Sequence, residues 1–304
     1  MGFGVWNLIG KVNEKKANAR NKSDAVDQRA KTLINQSTSF IINEAYKTAR
    51  TNIMFALSAT GKGCKKIIIT SASPGEGKTT TCLNLAITFA QMNAKVLVID
   101  ADLRKPRVYR HLGLERKNGL SDVLGGLTDI NTAIHHCPEH NIDCITSGQI
   151  LPNPAELLSS SEMEALLNTL SERYDYIFLD TPPVTMVTEA AAMSKFTNGT
   201  VVIIRQNYTI HEMLQRAQAN LKFGEAKILG YILNDVDVNQ YRSGYGRYGY
   251  RGYGHRRYGY GYSEYGYKYA YHYGGYDGYG NKKNTDAEDH EQEQQTDEKK
   301  KNKK

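Results

Sequence analysis

The chain has 304 residues, a formal net charge of +7, 21 Tyr and four Cys. It contains no apolar run near the roughly 20 residues that span a bilayer and no cleavable signal segment, which argues against a transmembrane protein. The thiols include no C-x-x-C pair, so neither a disulfide scaffold nor a zinc or iron–sulfur site is expected. The excess of basic charge lies in residues 1–30 and 241–280 and not between them. A nucleic-acid groove on the globular part is therefore not indicated, and no nucleic-acid partner is expected.

From about Ser39 onward, short apolar runs alternate with helical stretches. The runs KIIIT, VLVID, YIFLD and VVIIR are apolar throughout, as expected of parallel strands that helices cover on both faces. The predicted strands are 66–70, 95–99, 142–146, 176–179, 200–205 and 228–233, and the predicted helices begin near Ser39 and then cover 79–92, 121–124, 155–173, 188–196 and 211–223. This order predicts a three-layer α/β domain with a mostly parallel central sheet over residues 39–240.

Both ends of the chain lie outside this predicted domain. Residues 1–38 form a polar arm with an apolar start around Trp6, which predicts either a frayed segment or a contact with a membrane or a docking partner. Residues 241–280 consist almost entirely of Tyr, Gly and scattered Arg, and residues 281–304 are charged and rich in Gln. Neither composition can build a core, so both segments are predicted to be disordered.

The segment after the first strand of the domain is a phosphate-binding loop. It reads TSASPGEGKTTT and fits the P-loop pattern, with Ala72 where the first Gly is usual. Glycines let successive backbone N–H groups point at phosphate oxygens. Lys78 reaches the β- and γ-phosphates, while Thr79 offers its hydroxyl to Mg²⁺ at the start of a helix. The predicted nucleotide-binding residues are Ser73, Pro74, Gly75, Glu76, Gly77, Lys78, Thr79, Thr80 and Asn234. Asn234, at the end of the last strand, is as consistent with a simple turn residue as with an adenine contact.

Three carboxylates follow two other predicted strands. Asp100 ends the run VLVID, Asp102 lies two residues further on, and Asp180 ends the run YIFLD. Ligands bind at the carboxyl edge of such sheets, so we expect these side chains beside the phosphate loop if the strands are neighbours. A lone Asp after a strand is more often a cap or turn residue. Three that converge need a divalent cation to offset their repulsion, and Mg²⁺ bound to a nucleotide supplies it.

The motifs together resemble those of the bacterial protein-tyrosine kinases, the autokinases of capsule and exopolysaccharide assembly. The shared features are the phosphate loop, DADLR from Asp100 and LDTPP from Leu179. The stretch DLRKPRVYRHLGLERKNGLSDVLGG, the segment 148–160, EAYKTARTNI from Glu44 and the terminal tyrosine cluster are similar as well. The chain departs from the family at Ala72 and at Lys47, where the interface motif E-x-x-R-x-x-R more often has Arg. Lys lacks the planar bidentate donor of Arg, which weakens the expectation of that contact.

This resemblance implies a P-loop tyrosine kinase that uses ATP and Mg²⁺ and phosphorylates its own tail. The acceptor phenol must lose a proton, and Asp100 would accept it. Asp102 and Asp180 would order the metal together with Thr79. Lys78 and Arg104 would neutralise the phosphate in transfer. The residues by themselves do not separate Asp100 from Asp102 in these roles.

The resemblance also implies an assembly and a location. Fifteen tail tyrosines are the predicted phosphorylation sites: Tyr241, Tyr245, Tyr248, Tyr250, Tyr253, Tyr258, Tyr260, Tyr262, Tyr265, Tyr267, Tyr269, Tyr271, Tyr273, Tyr276 and Tyr279. Glu44, Lys47 and Arg50 are either a subunit contact in a ring-like homo-oligomer or a solvated helix face with local ion pairs. A transmembrane adaptor would hold this cytoplasmic chain at the inner face of the cell membrane, and residues 1–40 or the core near the nucleotide would receive it. A cognate tyrosine phosphatase and a role in polysaccharide polymerisation and export are expected too.

A function of another class stays open. The partitioning ATPases of the ParA and MinD type share this sheet, although they place Lys near the start of the phosphate loop where this chain has Ser73. Tyr and Arg interleaved with Gly are also typical of segments that stack on single-stranded nucleic acid. The alternative is therefore a MinD/ParA-like P-loop ATPase with a Tyr-rich interaction or nucleic-acid-binding tail.

Overall fold

The computed structural model describes residues 4–9, 32–150 and 153–237. Its strands are β1 (Gly4–Ile9), β2 (Lys65–Ser71), β3 (Val96–Asp100), β4 (Ile134–Cys137), β5 (Ile142–Ile145), β6 (Tyr176–Asp180), β7 (Gly199–Arg205) and β8 (Ile228–Val236). Its helices are α1 (Phe40–Leu57), α2 (Lys78–Ala90), α3 (Val108–His111), α4 (Leu120–Leu124), α5 (Ile130–Ala133), α6 (Pro154–Leu158), α7 (Ser161–Ser171), α8 (Glu189–Met193) and α9 (His211–Phe223). Short 3₁₀ turns follow α1 and α8.

The strands in the described part of the chain form one sheet in the order β1-β8-β7-β2-β6-β3-β5-β4. All strand pairs are parallel except β4 with β5. Successive residues of β2 point to opposite faces, so Ile67 and Ile69 join one buried cluster and Ile68 joins the other. All three are inaccessible to solvent. These two cores confirm the predicted three-layer α/β architecture with a mostly parallel sheet.

The domain begins earlier than the predicted boundary at residue 39. Residues Gly4–Ile9, assigned above to an arm, form an edge strand that pairs in parallel with β8. Leu33 and Ile34 are buried in the core, and the Ile34 amide donates to Asn84 Oδ1 at 2.9 Å. The partner of β1 lies more than 200 residues away in the sequence. No local pattern encodes a pairing of this kind, so the sequence signal there was too weak to predict a strand.

The sheet order also changes which motifs are neighbours. Strand β6 lies between β2 and β3, so the strands that carry the phosphate loop and the pair Asp100 and Asp102 are not adjacent. Asp100 and Asp180 are instead direct register partners on β3 and β6. The predicted helix 155–173 is two helices, because the Ser160 hydroxyl caps a new start by accepting from the Met163 amide at 3.3 Å.

Two findings bear on the ends of the chain and on membranes. Across the ranges described above, no helix is both long enough and apolar enough to cross a bilayer. Residues 238–304, which carry the fifteen predicted phosphorylation sites, lie outside the described residues.

Candidate active site

The phosphate loop joins β2 to α2 at the carboxyl edge of the sheet. Gly75 and Gly77 have φ angles of +84° and +88°, in the left-handed region that favours glycine. Such alternation of backbone conformation is typical of anion-binding nests formed by successive N–H groups. Helix α2 begins at Lys78, so the positive end of its dipole lies at the same place. The loop therefore has the backbone form of a phosphate site.

The cluster of Lys78, Thr79, Asp102 and Asp180 lies directly beyond the loop. The Lys78 ammonium is 3.0 Å from Asp102 Oδ2 and 3.5 Å from Asp180 Oδ1. Thr79 Oγ1 donates to Asp180 Oδ2 at 2.7 Å. Burial raises the pKa of Asp180, and the Lys78 charge opposes that rise. Burial lowers the pKa of Lys78, but Asp180 and Asp102 outweigh this effect and leave the pKa raised. Lys78 is thus a charged lysine shared between two carboxylates.

Asp100 occupies a different environment from Asp102. Its side chain is fully buried and does not line the pocket. Its Oδ2 accepts hydrogen bonds from the amides of Arg107 at 3.2 Å and Val108 at 3.1 Å, where α3 begins. Burial raises its pKa well above the ordinary value, and the neighbouring charge of Asp180 adds to the rise. The structure therefore brings Asp102 to the pocket and turns Asp100 toward the backbone of α3. Asp180 is as buried as Asp100 and reaches the site through its contacts with Lys78 and Thr79, which line the pocket.

A pocket of about 400 Å³ opens above the loop. Of the predicted nucleotide-binding residues, those that line it are Pro74, Gly75, Gly77, Lys78, Thr79 and Thr80, together with Asp102 and Arg104. The sequence reasoning missed Lys105, Arg107, His111 and Met186 on the same wall. The basic run RKPR, which begins two residues after Asp102, was a usable signal for Lys105 and Arg107, because basic side chains are favourable beside a phosphate group. No sequence signal pointed to His111 or Met186.

Ser73, Glu76 and Asn234 support the loop from behind and do not line the pocket. The buried Glu76 carboxylate accepts the Ser73 amide at 2.8 Å through Oε2. Asn234 Nδ2 donates to the Glu76 carbonyl at 2.9 Å. A Cβ on Gly77 would lie 2.2 Å from Asn234 Nδ2, so only glycine fits at that position. Asn234, predicted as either an adenine contact or a turn residue, is a support of the phosphate loop in this structure.

Arg104 is anchored at the mouth of the pocket. Its Nε donates to Glu189 Oε1 at 2.8 Å, and Glu189 at the start of α8 is buried while Arg104 is about half exposed. The anchor fixes the guanidinium group where a charged substrate would pass. Sequence reasoning found Arg104 but not its partner, because α8 follows more than 80 residues later.

The donor set suits a magnesium ion shared with phosphate groups. The described residues include no group of three or more His, Cys, Asp or Glu placed to hold a metal ion by themselves. Mg²⁺ is ordinarily held by one or two carboxylates, with water and substrate phosphates completing its coordination. Asp102, Asp180 and the Thr79 hydroxyl provide that many hard oxygen ligands. Lys78 would have to leave the two carboxylates and contact the phosphates, and the ion would then balance the charge of the carboxylates.

Comparison with known proteins agrees with this geometry. A family model described as an AAA domain matches residues 64–222. The chain is 42% identical to the tyrosine-protein kinase YwqD of Bacillus subtilis over 206 residues. The matched region covers 68% of this chain and 86% of that protein. The chain belongs to the bacterial tyrosine-protein kinases. The kinase domain of the Escherichia coli tyrosine kinase ETK superimposes with a TM-score of 0.68 and 28% identity, over 85% of this chain and 95% of that one.

Other members of the bacterial tyrosine-protein kinases are longer than this chain. The tyrosine-protein kinase Wzc of Salmonella typhimurium is 33% identical over 193 residues, which is 64% of this chain and 27% of that protein. The similarity therefore concerns the kinase part of the longer relative and not its whole length.

In this tyrosine kinase the predicted interface residues on α1 do not act alike. Lys47 Nζ and Glu44 Oε1 form an exposed ion pair at 2.7 Å. Arg50 Nη1 instead donates to the Thr88 carbonyl of α2 at 2.6 Å, inside the domain. Phe55 lies on the same helix and is 73% exposed. Glu44 and Lys47 remain free to face another molecule, whereas Arg50 also ties α1 to α2.

Proposed function

We propose that the chain is an ATP- and Mg²⁺-dependent tyrosine autokinase that phosphorylates the tyrosines between Tyr241 and Tyr279 in a neighbouring subunit of a ring-like homo-oligomer. The single observation that carries the proposal is the cluster of Lys78, Asp102 and Asp180 beside the phosphate loop, in a chain of this kinase family that carries a tyrosine-rich segment at residues 241–280. The family membership supplies the reaction, and the cluster supplies the means to hold its nucleotide.

Nucleotide binding would rearrange the charges of the cluster. Lys78 would move from Asp102 and Asp180 to the β- and γ-phosphates. Thr79 and the two carboxylates would hold Mg²⁺, which neutralises phosphate charge when it is bound. Arg104, anchored by Glu189, would add positive charge beside the transferring phosphoryl group. Lys78, Thr79, Asp102 and Arg104 line the pocket, and Asp180 contacts Lys78 and Thr79 from behind it, which supports these roles.

The acceptor tyrosine must lose its proton during transfer. A phenol has a pKa of about 10, so a carboxylate close to the hydroxyl has to accept the proton. We assign this role to Asp100 on the family resemblance, and its raised pKa suits a proton acceptor. Asp100 can face the phenol only after it releases the amides of Arg107 and Val108. The assignment therefore requires residues 101–107 to rearrange when nucleotide and acceptor bind.

Transfer between subunits would use the tail as a set of acceptors. The segment 241–280 places a tyrosine every two to five positions, so one active site has many phenols to modify. The exposed Glu44 and Lys47, with Phe55 further along α1, support a subunit contact on this helix because exposed apolar side chains favour burial in an interface. We propose this face of α1 as the contact within the ring.

The cellular setting is proposed from the resemblance to the form of the family in which the kinase and its transmembrane adaptor are separate chains. A transmembrane adaptor would hold the kinase at the cytoplasmic face of the cell membrane and complete its activity. A cognate phosphatase would reverse the modification. Cycles of tail phosphorylation would then regulate the polymerisation and export of a capsular or extracellular polysaccharide.

The test is to incubate the purified chain with ATP and Mg²⁺, with and without a candidate adaptor peptide, and to map phosphotyrosine by mass spectrometry. We expect phosphate on the segment from Tyr241 to Tyr279 and none in Lys78→Met. Lys222→Met, which removes an exposed lysine at the end of α9, is the matched control and should behave as the wild type.

Two outcomes would contradict the proposal. One is a wild-type chain that carries no phosphotyrosine in either condition, and the other is a Lys78→Met chain that modifies itself. Transfer between subunits is tested by mixing Lys78→Met with an active chain that ends at residue 240. Phosphate on the Lys78→Met tail supports transfer between subunits, and an unmodified tail contradicts it.

A further inference from the structure

Every backbone carbonyl from residue 72 to residue 76 of the phosphate loop accepts a hydrogen bond from a side chain. The pairs are Thr185 with Ala72, Ser71 with Ser73, Tyr208 with Pro74, Arg205 with Gly75 and Asn234 with Glu76. Loop carbonyls need partners, and water or other backbone groups are the alternatives to side chains. Here the protein supplies all five partners itself. Carbonyls fixed in this way do not compete for the N–H groups of the loop, which can bind an anion except for the Ser73 amide that donates to Glu76.

Three of these donors come from one side of the loop, the turn after β7 and the end of β8. Tyr208 Oη donates to the Pro74 carbonyl at 2.9 Å, and Arg205 Nη1 donates to the Gly75 carbonyl at 3.2 Å. Asn234 completes the row at the next carbonyl at 2.9 Å. We call Arg205, Tyr208, Thr209 and Asn234 the loop clamp.

The loop clamp is itself held in place by further contacts. Asp235 Oδ2 accepts from Arg205 Nε at 2.9 Å and from Nη2 at 2.8 Å, which orients the guanidinium group toward the loop. The same guanidinium carbon lies 5.2 Å from the centre of the Tyr208 ring. Thr209 Oγ1 accepts the Arg205 amide at 2.8 Å and donates to the Glu76 carboxylate. Arg205, Tyr208 and Thr209 are therefore held in position by contacts with one another and with Asp235, in addition to their contacts with the loop.

The two left-handed glycines of the loop lie against the clamp. A Cβ on Gly75 would be 3.3 Å from Tyr208 Oη, and a Cβ on Gly77 would be 2.2 Å from Asn234 Nδ2. Tyr208 and Asn234 are therefore packed directly against the two glycines whose left-handed conformation shapes the loop. No member of the clamp lines the pocket itself. Its effect on a nucleotide must therefore pass through the loop.

We propose that the loop clamp consists of positioning residues that hold the phosphate loop in its nucleotide-binding form. This inference rests on the proposed binding of ATP and Mg²⁺ at the loop. Because the clamp contacts the loop and does not line the pocket, we expect its bonds to be the same before and during phosphoryl transfer and to stabilise the ground state and the transition state equally. Loss of uniform binding of this kind raises KM and leaves kcat unchanged.

The test compares nucleotide binding by the wild type, Tyr208→Phe and Thr209→Val, with ADP and Mg²⁺ as the probe in isothermal titration calorimetry. Each variant removes a hydroxyl and keeps the shape of the side chain. We expect the Kd for ADP to rise about three- to tenfold in Tyr208→Phe, the scale of one lost hydrogen bond. The rise should be at least as large in Thr209→Val, which loses the bonds of the hydroxyl to both Glu76 and the Arg205 amide. The KM for ATP in tail phosphorylation should rise by the same factor, with kcat within about twofold. Thr209→Ser keeps the hydroxyl and should restore wild-type binding.

Tyr174→Phe is the matched control, because it removes a tyrosine hydroxyl that donates to Asp143 at 2.7 Å away from the pocket lining. It should leave the Kd unchanged. If the wild type binds ADP and both Tyr208→Phe and Thr209→Val bind it with unchanged affinity, the proposal of a loop clamp is wrong and the proposed function is unaffected. A lowered melting temperature without a change in KM would also overturn the loop clamp, since that result assigns these residues to stability. A wild type that does not bind ADP with Mg²⁺ would overturn the proposed function.

Discussion

At the scale of single residues, Asp100 and Asp102 show how two like side chains on one segment acquire different chemistry. Asp102 opens into the pocket beside the Lys78 ammonium. Asp100 is buried and accepts backbone amides at the start of α3. A kinase needs one carboxylate that helps to hold a metal ion and another that takes a proton. The surroundings of the two side chains favour Asp102 for the first role.

Replacing each aspartate should therefore affect a different kinetic constant. We expect Asp100→Asn to lower kcat for tail phosphorylation by about 100-fold or more, because it removes the proton acceptor, with little change in the KM for ATP. Asp102→Asn should raise the KM for ATP and the Mg²⁺ requirement, because it removes a metal ligand. Steady-state kinetics with varied ATP and Mg²⁺ measure both. Near-normal kcat in Asp100→Asn would show that another group accepts the proton.

The activity should also depend on pH through Asp100. Burial and the charge of Asp180 raise its pKa well above the ordinary value for a carboxyl group. A proton acceptor works only when it is ionised, and kcat/KM reports the groups of the free enzyme, so kcat/KM should fall as the pH is lowered through that raised pKa. We expect this fall at a higher pH than an exposed carboxyl group would give, whose pKa is about 4. A profile of kcat/KM that begins to fall only near the pKa of an exposed carboxyl group would contradict the assignment.

At the scale of elements, α1 combines a structural face with one that is open to a partner. Arg50 bonds to the Thr88 carbonyl of α2, while Lys47 pairs with Glu44 at the surface. The two basic residues of the same motif therefore differ in what they stabilise. Arg50 contributes to the packing of α1 on the domain, and Lys47 is available for a subunit contact.

Substitutions on α1 should separate stability from assembly. Arg50→Ala should lower the melting temperature by roughly 3–10 °C, because it loses a charged hydrogen bond between two helices. Lys47→Glu should leave the melting temperature within about 2 °C and lower the oligomer mass, because it places like charges at the contact. Calorimetry and light scattering measure the two effects. An unchanged mass in Lys47→Glu would remove this face of α1 from the proposed interface.

The sequence predicted the elements whose signals are local. The continuous apolar runs of β2, β3 and β6 identified buried parallel strands, and the spacing of Gly77, Lys78 and Thr79 identified the phosphate loop. It missed the antiparallel β4, because this four-residue strand has no continuous apolar run. It did not predict β1, because the partner of that strand lies more than 200 residues away in the chain. The position of β6 between β2 and β3 was missed for the same reason.

The same limit applies within the site. Lys78, Asp102 and Asp180 were predicted to converge because each follows a strand with a clear pattern, and they do lie together. Rotation of the Asp100 side chain toward α3 and of Asn234 toward the loop depends on tertiary hydrogen bonds. The contacts of Tyr208 and Arg205 with the loop were missed because about 130 residues separate them in the sequence.

At the scale of the whole molecule, the charge of the tail links the reaction to the assembly. Each phosphate adds about −1.5 to −2 charges at neutral pH. Residues 241–280 carry six basic and two acidic side chains, so four phosphates would take the segment from +4 to roughly −2 to −4. Tails that gather in a ring would then repel one another. Phosphorylation is therefore expected to loosen the oligomer.

This expectation is measured by light scattering on the phosphorylated and the phosphatase-treated protein at the same concentration. We expect a lower mass for the phosphorylated form, and the difference should shrink at high salt because the repulsion is screened. Equal masses in low salt would show that tail charge does not control assembly.

A crystal structure with a non-hydrolysable ATP analogue and Mg²⁺ tests most directly whether the cluster at the phosphate loop holds the nucleotide. We expect Lys78 to have left Asp102 Oδ2 for the phosphates and the ion to lie between Thr79 and the carboxylates of Asp102 and Asp180. A triphosphate bound elsewhere, or a Lys78 still paired with Asp102 beside a bound nucleotide, would contradict the account.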